Sequence, residues 1–192
     1  MAPNSPPRSR GQARAAARLA AVQALYQHDM EATPPAQLIH EFHHHRIGSV
    51  IDDEAFDDAE YADAELAFFD DLVAGTITRI ADVDAAVSAR LAKGWSLARL
   101  DRAMKAVLRV GAYEIIARPD VPARAAINEY VEVAKAFHDT REAGFVNGIL
   151  DALAKAERDS AEPNESPERD SAEPIESAEP NADPAPPAAG EP

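Results

Sequence analysis

Arginine residues recur near the start of the chain at a spacing that could bind phosphate groups. Arg10, Arg14 and Arg18 are four residues apart, so they share one face wherever this stretch is helical, and Arg8 precedes them. Such a row of guanidinium groups can follow the phosphate backbone of a nucleic acid whatever its base sequence. An ordinary solvated helix face is the alternative, and composition alone favours it. The spacing of these arginines alone therefore does not predict nucleic-acid binding.

The run from His40 to His44 is a second group of residues that could do chemistry. It reads HEFHH, and two imidazoles one helical turn apart beside a glutamate can bind zinc and activate a water molecule. The pattern is short, three adjacent histidines make a chance match easier, and nothing frames a third ligand such as Glu60. We interpret the run as an exposed polar helix end rather than a metal site.

Other arrangements that support catalysis are missing from the sequence. It has no glycine-rich phosphate loop, no nucleophile elbow and no cysteine for a thiolate metal site. The carboxylates within the helical pattern, Glu114, Glu129 and Glu132, are interpreted as ordinary polar-face residues, and Lys135 is spaced to pair with Glu132. We expect neither an enzyme nor a bound cofactor.

The residues from 100 to 153 are predicted to form three helices. Arg118-Pro119 ends the first, because proline disfavours helical geometry in the residue before it. Asp139 and Glu142 have the spacing of a capping box at the start of the third. Apolar residues recur at three- and four-residue steps along these helices: Leu100, Met104, Val107, Leu108, Gly111 and Ile115, then Ile127, Tyr130, Val131, Ala134 and Phe137, then Phe145, Val146, Ile149, Leu150 and Leu153.

Upstream of residue 100 the pattern predicts further helices. A first helix is expected from about Gln12 to Glu31, with Ala15, Leu19, Val22 and Tyr26 as its buried stripe. Thr33 and Asp82 are the expected N-caps of two later helices. We interpret Trp95, at the break before residue 100, as a packing residue rather than a base-stacking platform.

Several short strings in this pattern resemble the NusB family of bacterial transcription antitermination factors. They occur in the family's order and cover roughly residues 10–155. The strings are Ala21-Val22-Gln23-Ala24-Leu25-Tyr26, Ala106-Val107-Leu108-Arg109, Ala112-Tyr113-Glu114, Asp120-Val121-Pro122, Ile127-Asn128-Glu129, Val133-Ala134-Lys135 and Phe145-Val146-Asn147-Gly148-Ile149-Leu150-Asp151.

The resemblance implies an all-α fold, a NusB-like bundle of about six or seven helices in two helical subdomains. It implies antitermination during ribosomal RNA transcription, by binding single-stranded boxA RNA together with the ribosomal protein NusE. The pair would join NusA, NusG and RNA polymerase in the cytoplasm, with no membrane contact, and a homodimer is possible by resemblance.

By resemblance, Arg8, Arg10, Arg14 and Arg18 would contact RNA phosphates, while Phe145 would stack on a base. Tyr26 and Asn147 are further RNA-binding candidates, and a core role at the helix start is the alternative for Phe145. The basic helix with Arg102, Lys105 and Arg109 could serve either partner. The family has a tighter run of arginines, and here Ala15 and Ala16 occupy two of those places.

Two other readings of the same fold remain open. The thinned arginine run allows a protein scaffold that has lost RNA binding. The fold also occurs as the N-terminal domain of ribosomal RNA cytosine methyltransferases, but here an acidic tail follows it rather than a catalytic domain.

The charge of the chain divides by region. The whole chain carries −15, but residues 157–192 hold 11 acidic and 2 basic residues, which account for −9. That segment repeats RDSAEP and is too rich in proline and acid to build a core. We therefore expect a flexible arm at residues 1–9, an RNA-binding helical domain at 10–156 and a disordered acidic tail at 157–192.

Overall fold

The part of the chain that the structure describes is built from α-helices. The structure is a computed structural model and describes residues 10–47 and 59–161. The helices are α1 (Arg10–Glu31), α2 (Pro35–Phe42), α3 (Ala59–Thr78), α4 (Ile80–Ser88), α5 (Arg102–Ala117), α6 (Ala123–Lys135) and α7 (Thr140–Ala161). A π-helical segment, His43–Ile47, continues α2, and a 3₁₀ turn, Leu97–Arg99, precedes α5. The described residues contain no β-strand, and the predicted all-α fold is confirmed.

Helix α5 is the centre of the packing. Its start is capped by Asp101, whose Oδ1 accepts a hydrogen bond from the amide of Met104 at 2.9 Å. It ends at Ala117, before Arg118-Pro119, as predicted. Helices α1, α3, α4, α6 and α7 all pack against it. Because the helices before and after α5 both pack on it, the described helices form one compact unit.

The start of α7 carries the predicted capping box. Asp139 Oδ1 accepts hydrogen bonds from the amides of Arg141 (2.8 Å) and Glu142 (2.9 Å). In return, the amide of Asp139 donates to the Glu142 carboxylate at 3.3 Å. The helix then runs to Ala161, five residues beyond the predicted domain boundary at residue 156.

The buried face of α1 is built mainly from alanines. Ala17, Ala21 and Ala24 are fully buried. Val22 is the one member of the predicted buried stripe that is also buried. Tyr26, which the periodicity assigns to the core, is 42% exposed. The small side chains let α3 and α5 approach closely, since the distance between packed helices depends on the residues at the contact. The predicted core position of Tyr26 is wrong.

Two aromatic residues assigned to packing are exposed instead. Trp95 is 57% exposed and Phe137 is 45% exposed. Phe137 lies two residues after the end of α6, and Trp95 lies between α4 and α5. Helical periodicity does not hold outside the helices, so it gives the wrong environment for Phe137. The interpretation of Trp95 rests on its place at the break before residue 100, and its exposure excludes a core position.

The two predicted N-caps are also wrong, although both helices exist. The N-cap of α2 is Pro34, with Pro35 in the first turn, while Thr33 uses its backbone carbonyl to accept a hydrogen bond from His28. Helix α4 begins two residues before Asp82. The predicted arm with Arg8, the acidic stretch at 48–58 and the tail from residue 162 lie outside the described residues.

Candidate nucleic-acid interface

The arginines of α1 do not form one exposed row. The guanidinium of Arg14 is 24% exposed, and its Nε donates to the buried carboxylate of Glu65 on α3 at 3.2 Å. Arg18 is only 4% exposed. Helix α1 begins at Arg10. The prediction of a shared solvated arginine face is therefore wrong at Arg18.

Arg18 instead belongs to a buried polar cluster with Glu114 and Tyr130. Its Nε and terminal nitrogen donate to the two oxygens of Glu114 at 3.0 and 2.6 Å, and the Tyr130 hydroxyl donates to Glu114 Oε2 at 2.6 Å. Glu114 and Tyr130 are fully buried, on α5 and α6. Glu114 is therefore a core residue, not the polar-face residue that the sequence predicts.

The charges of this cluster stabilise each other. Burial alone would lower the pKa of Arg18, but the hydrogen bonds and negative charge of Glu114 outweigh it and raise that pKa above its ordinary value. Burial raises the pKa of the Tyr130 hydroxyl, and the neighbouring Glu114 carboxylate raises it further. The cluster therefore holds a charged pair and a neutral tyrosine between α1, α5 and α6.

The ring of Phe68 on α3 lies among three guanidinium groups. The Cζ atoms of Arg14, Arg18 and Arg118 lie 4.9, 5.2 and 5.2 Å from its centroid. Arg118 also donates to Asp71 at 2.8 Å and to Asp120 at 2.9 Å. Hydrogen bonds from Arg118 lower the pKa of Asp120 to about 2. These arginines are used to hold helices together.

The basic residues of α5 are also paired. Arg102, Lys105 and Arg109 lie 3.6, 3.4 and 3.2 Å from the carboxylate of Asp29 on α1. Arg109 is held in addition by Asp84 on α4 at 2.7 Å. Burial would raise the pKa of Asp29, but the charges and hydrogen bonds of Lys105 and Arg109 lower it below its ordinary value. These cations therefore fasten α1 and α4 to α5.

The sequence indicates a buried position for one acidic partner of these cations, Glu114, but not for the others. Glu114 follows Val110 and Gly111 by four and three residues, so it lies on the apolar face of α5. A carboxylate on such a face requires a buried partner. Nothing in the local sequence identifies that partner as Arg18, which is 96 residues away.

The remaining predicted RNA-binding residues are Tyr26, Phe145 and Asn147, and the first two line neighbouring grooves. Tyr26 lines a groove of about 970 Å³ together with Phe137. Phe145 is partly buried and lines a groove of about 720 Å³. Asp101 lines both grooves, so they adjoin. Asn147 lies on the exposed side of α7.

The histidine run does not assemble a metal site in the described part of the chain. The rings of His40 and His44 meet edge to face with centroids 4.4 Å apart. His43 Nε2 lies 2.6 Å from Asp70 on α3. Among residues 10–47 and 59–161, no group of three histidine or carboxylate side chains could hold a metal ion. In the same ranges, no helix is long and apolar enough to cross a membrane.

Comparison with known proteins places the chain in one family. The profile of the NusB family matches residues 15–155. The transcription antitermination protein NusB of Sphingopyxis alaskensis is 65% identical over 149 residues, which cover 78% of this chain and 97% of that protein. The structure of T. maritima NusB is 30% identical with a TM-score of 0.59, covering 74% of this chain and 90% of the other.

A crystal structure of the antitermination factors NusB and NusE in complex with double-stranded RNA is also similar. It has a TM-score of 0.58 and 23% identity, covers 76% of this chain and 98% of the matched chain, and shows a shared fold alone. The family profile and the high identity to the Sphingopyxis alaskensis protein decide the assignment: this chain belongs to the NusB family.

Proposed function

We propose that this protein is a transcription antitermination factor that binds single-stranded boxA RNA of nascent ribosomal RNA transcripts together with NusE. The observation that supports this most is the 65% identity, over nearly the full length of the relative, to a transcription antitermination protein. In this role the protein regulates transcription and carries out no catalysis. It works in the cytoplasm and joins NusA, NusG and RNA polymerase, and the homodimer implied by the resemblance is part of the same proposal.

The phosphate contacts of the proposed interface come from cations that are not used inside the fold. Arg18 is excluded from them, because its guanidinium is buried against Glu114. Arg14 contributes at most an edge of its guanidinium, since Glu65 holds the other. We assign the phosphate contacts at the start of the chain to Arg8 and Arg10, which precede these two residues in the sequence.

A protein scaffold without RNA affinity is the second candidate, and one observation favours it. The basic residues on α1 and α5 whose side chains are described, Arg14, Arg18, Arg102, Lys105 and Arg109, all lie within 4 Å of a carboxylate. A cation that is already paired with a carboxylate neutralises less phosphate charge and displaces fewer counterions from the RNA. It therefore contributes less to RNA affinity. Measurement of RNA binding decides between the two functions.

Fluorescence anisotropy with a labelled boxA-type single-stranded RNA, with and without NusE and at several salt concentrations, tests the proposal. We expect NusE to tighten binding and boxA to bind better than a scrambled sequence. The logarithm of affinity should fall with the logarithm of salt by about 0.7 per phosphate contact. Replacing Arg8 and Arg10 by Ala should reduce that slope.

The matched control is the Arg79→Ala, Lys135→Ala double variant, which removes the same charge from two exposed surface pairs. Its RNA affinity should stay close to that of the wild type. Binding of NusE without measurable RNA binding would overturn the proposal in favour of the scaffold. An unchanged salt slope in the Arg8→Ala, Arg10→Ala variant would remove these residues from the interface.

A further inference from the structure

A second aromatic ring accompanies Phe145 in its groove. The ring centroids of Trp95 and Phe145 are 6.0 Å apart, and their planes are inclined by 37°. Phe145 packs partly against the hydrophobic core, whereas Trp95 is 57% exposed. Phe145 therefore supports the indole from the protein side and leaves much of its surface open to solvent.

The loop between α4 and α5 holds the indole in this exposed position. Gly94 has a φ of +89°, in the left-handed region that favours glycine, and the amide of Trp95 donates to the carbonyl of Ala92 at 2.9 Å. Arg99 closes the loop by donating to the carbonyl of Gly94 at 3.1 Å. Leu97, which is buried, anchors the loop to the core. Trp95 is therefore presented by a defined turn.

The groove beside the indole is large enough for a flat ligand and has an apolar floor. Its volume is about 720 Å³, and Leu100 and Met104 line it with the two aromatic rings. This volume is within the range of about 300–1,000 Å³ that small-molecule sites in proteins occupy. An exposed indole above an apolar floor offers a π-face to a nucleobase, and such stacking tolerates any base.

The charges around the groove suit a nucleotide. Arg99 and Arg141 line it, and within the described residues neither side chain pairs with a carboxylate. Three carboxylates line it too, but Asp101, Asp139 and Glu142 each accept a backbone amide at the start of α5 or α7. The positive ends of these helices offset their charge. Arg141 and the guanidinium nitrogens of Arg99 that do not donate to Gly94 therefore remain available to a phosphate.

We propose that Trp95 is a base-stacking platform of this protein, with Arg99 and Arg141 on the adjoining phosphate. The ligand is an unpaired nucleotide of single-stranded RNA. This inference rests on the proposed function and extends it, because it assigns the base contact to a residue of the α4–α5 loop. Stacking depends on the aromatic ring, so Trp95→Phe should keep most of the stacking energy and Trp95→Leu should lose it.

The test uses the full-length protein with NusE bound and follows tryptophan fluorescence. Trp95 is the single tryptophan of the chain, so this chain's emission reports on that residue. Single-stranded boxA-type RNA should quench the fluorescence of Trp95, because a stacked base quenches the excited state of the indole and shields the ring from solvent.

Substitutions test the same contact by fluorescence anisotropy. Trp95→Leu should lower RNA affinity about five- to a hundredfold, and Trp95→Phe should lower it much less. The salt slope of Trp95→Leu should match the wild type, while Arg141→Gln should reduce the slope by about 0.7.

Lys135→Ala is the control, because Lys135 lies in an exposed pair with Glu132 and lines neither of the two grooves. It should bind RNA like the wild type. RNA binding with unchanged emission and a wild-type affinity in Trp95→Leu would overturn the platform and leave the proposed function standing. An emission change on adding NusE, with none on adding RNA, would assign the groove to a protein and overturn the nucleotide site. Absence of RNA binding by the wild type would overturn both proposals.

Discussion

At the scale of single residues, burial decides how much stability the protein loses when one partner of an ion pair is removed. The Arg18–Glu114 and Lys135–Glu132 pairs have the same nitrogen–oxygen distance of 2.6 Å. The first is almost completely buried, whereas the side chains of the second are 47% and 68% exposed. Removing one partner of a buried pair leaves an uncompensated charge in a region of low polarity. An exposed partner is simply solvated by water.

Replacing Arg18 by Ala should therefore destabilise the protein strongly. We expect a loss of about 3–5 kcal/mol in the free energy of unfolding, because among the described residues the Glu114 carboxylate would keep the Tyr130 hydroxyl alone as a hydrogen-bond partner. Urea denaturation followed by circular dichroism measures this loss. The Lys135→Ala control should cost about 0–1 kcal/mol. Equal effects of the two substitutions would show that Arg18 is solvated rather than buried.

This expectation changes how arginine substitutions on α1 must be interpreted. By spacing alone, an Arg14→Ala, Arg18→Ala double variant should weaken RNA binding and leave the fold intact. The buried cluster means that Arg18→Ala perturbs the fold itself, so any RNA loss in that variant would be ambiguous. The phosphate contacts proposed for the start of the chain are therefore tested by the Arg8→Ala, Arg10→Ala variant instead.

At the scale of helices, a glycine on α3 allows α3 and α5 to pack closely at one point. Gly75 on α3 faces the ring of Tyr113 on α5, and a Cβ atom at residue 75 would collide with the hydroxyl end of that ring. The same hydroxyl donates to Asp71 at 2.9 Å. Burial, together with Asp71, raises the pKa of Tyr113 to about 12, so the donor stays protonated at neutral pH. The glycine therefore fixes how α3 and α5 meet.

Gly75→Ala and Gly148→Ala should change stability in opposite directions. At residue 75 the added methyl group must displace Tyr113 from Asp71, and we expect a loss of about 1–3 kcal/mol. Gly148 is an exposed position of α7 where a Cβ atom meets nothing within 4 Å, and Gly148→Ala should gain about 0.5–1 kcal/mol through the higher helix propensity of alanine. Thermal unfolding of both variants measures the difference. A gain at both positions would show that Tyr113 can move aside freely.

At the scale of the whole molecule, the acidic tail contributes charge rather than packing in our proposed division of the chain. Residues 162–192 hold 9 acidic residues and 1 basic residue, a net charge of −8. The buried positions of α7 lie before this segment, and the last of them is Ala154. We therefore propose that the folded domain ends with α7, near residue 161, and that the tail adds solubility.

Deleting residues 162–192 should leave helix content and melting temperature nearly unchanged. A deletion that begins at Leu150 is the matched control, because it also removes the fully buried Leu150 and Leu153 from the core. Losing two such leucines should abolish cooperative unfolding, since each buried leucine contributes about 2–5 kcal/mol. Circular dichroism and thermal melts of both truncations give the answer. A large loss of stability in the shorter deletion would show that the tail packs on the domain.

The sequence by itself determined the parts of this protein that depend on local physical chemistry. Helical periodicity, Pro119 and the Asp139–Glu142 capping box are encoded within a few residues of where they act, so the helices and several of their ends were predictable. The short strings shared with the NusB family also lie within single helices. They were sufficient to predict the family and its fold.

The tertiary structure alone decided which polar residues are buried and which aromatic residues are exposed. The apolar face of α5 indicates a buried position for Glu114, but only the packing of α1 on α5 brings Arg18, 96 residues away, to its carboxylate. Trp95 is exposed because the turn at Gly94 directs it away from the core, against its high hydrophobicity. Burial is a property of the assembled helices. Residues that lie far apart in sequence therefore settle which cations and which rings remain available to a ligand.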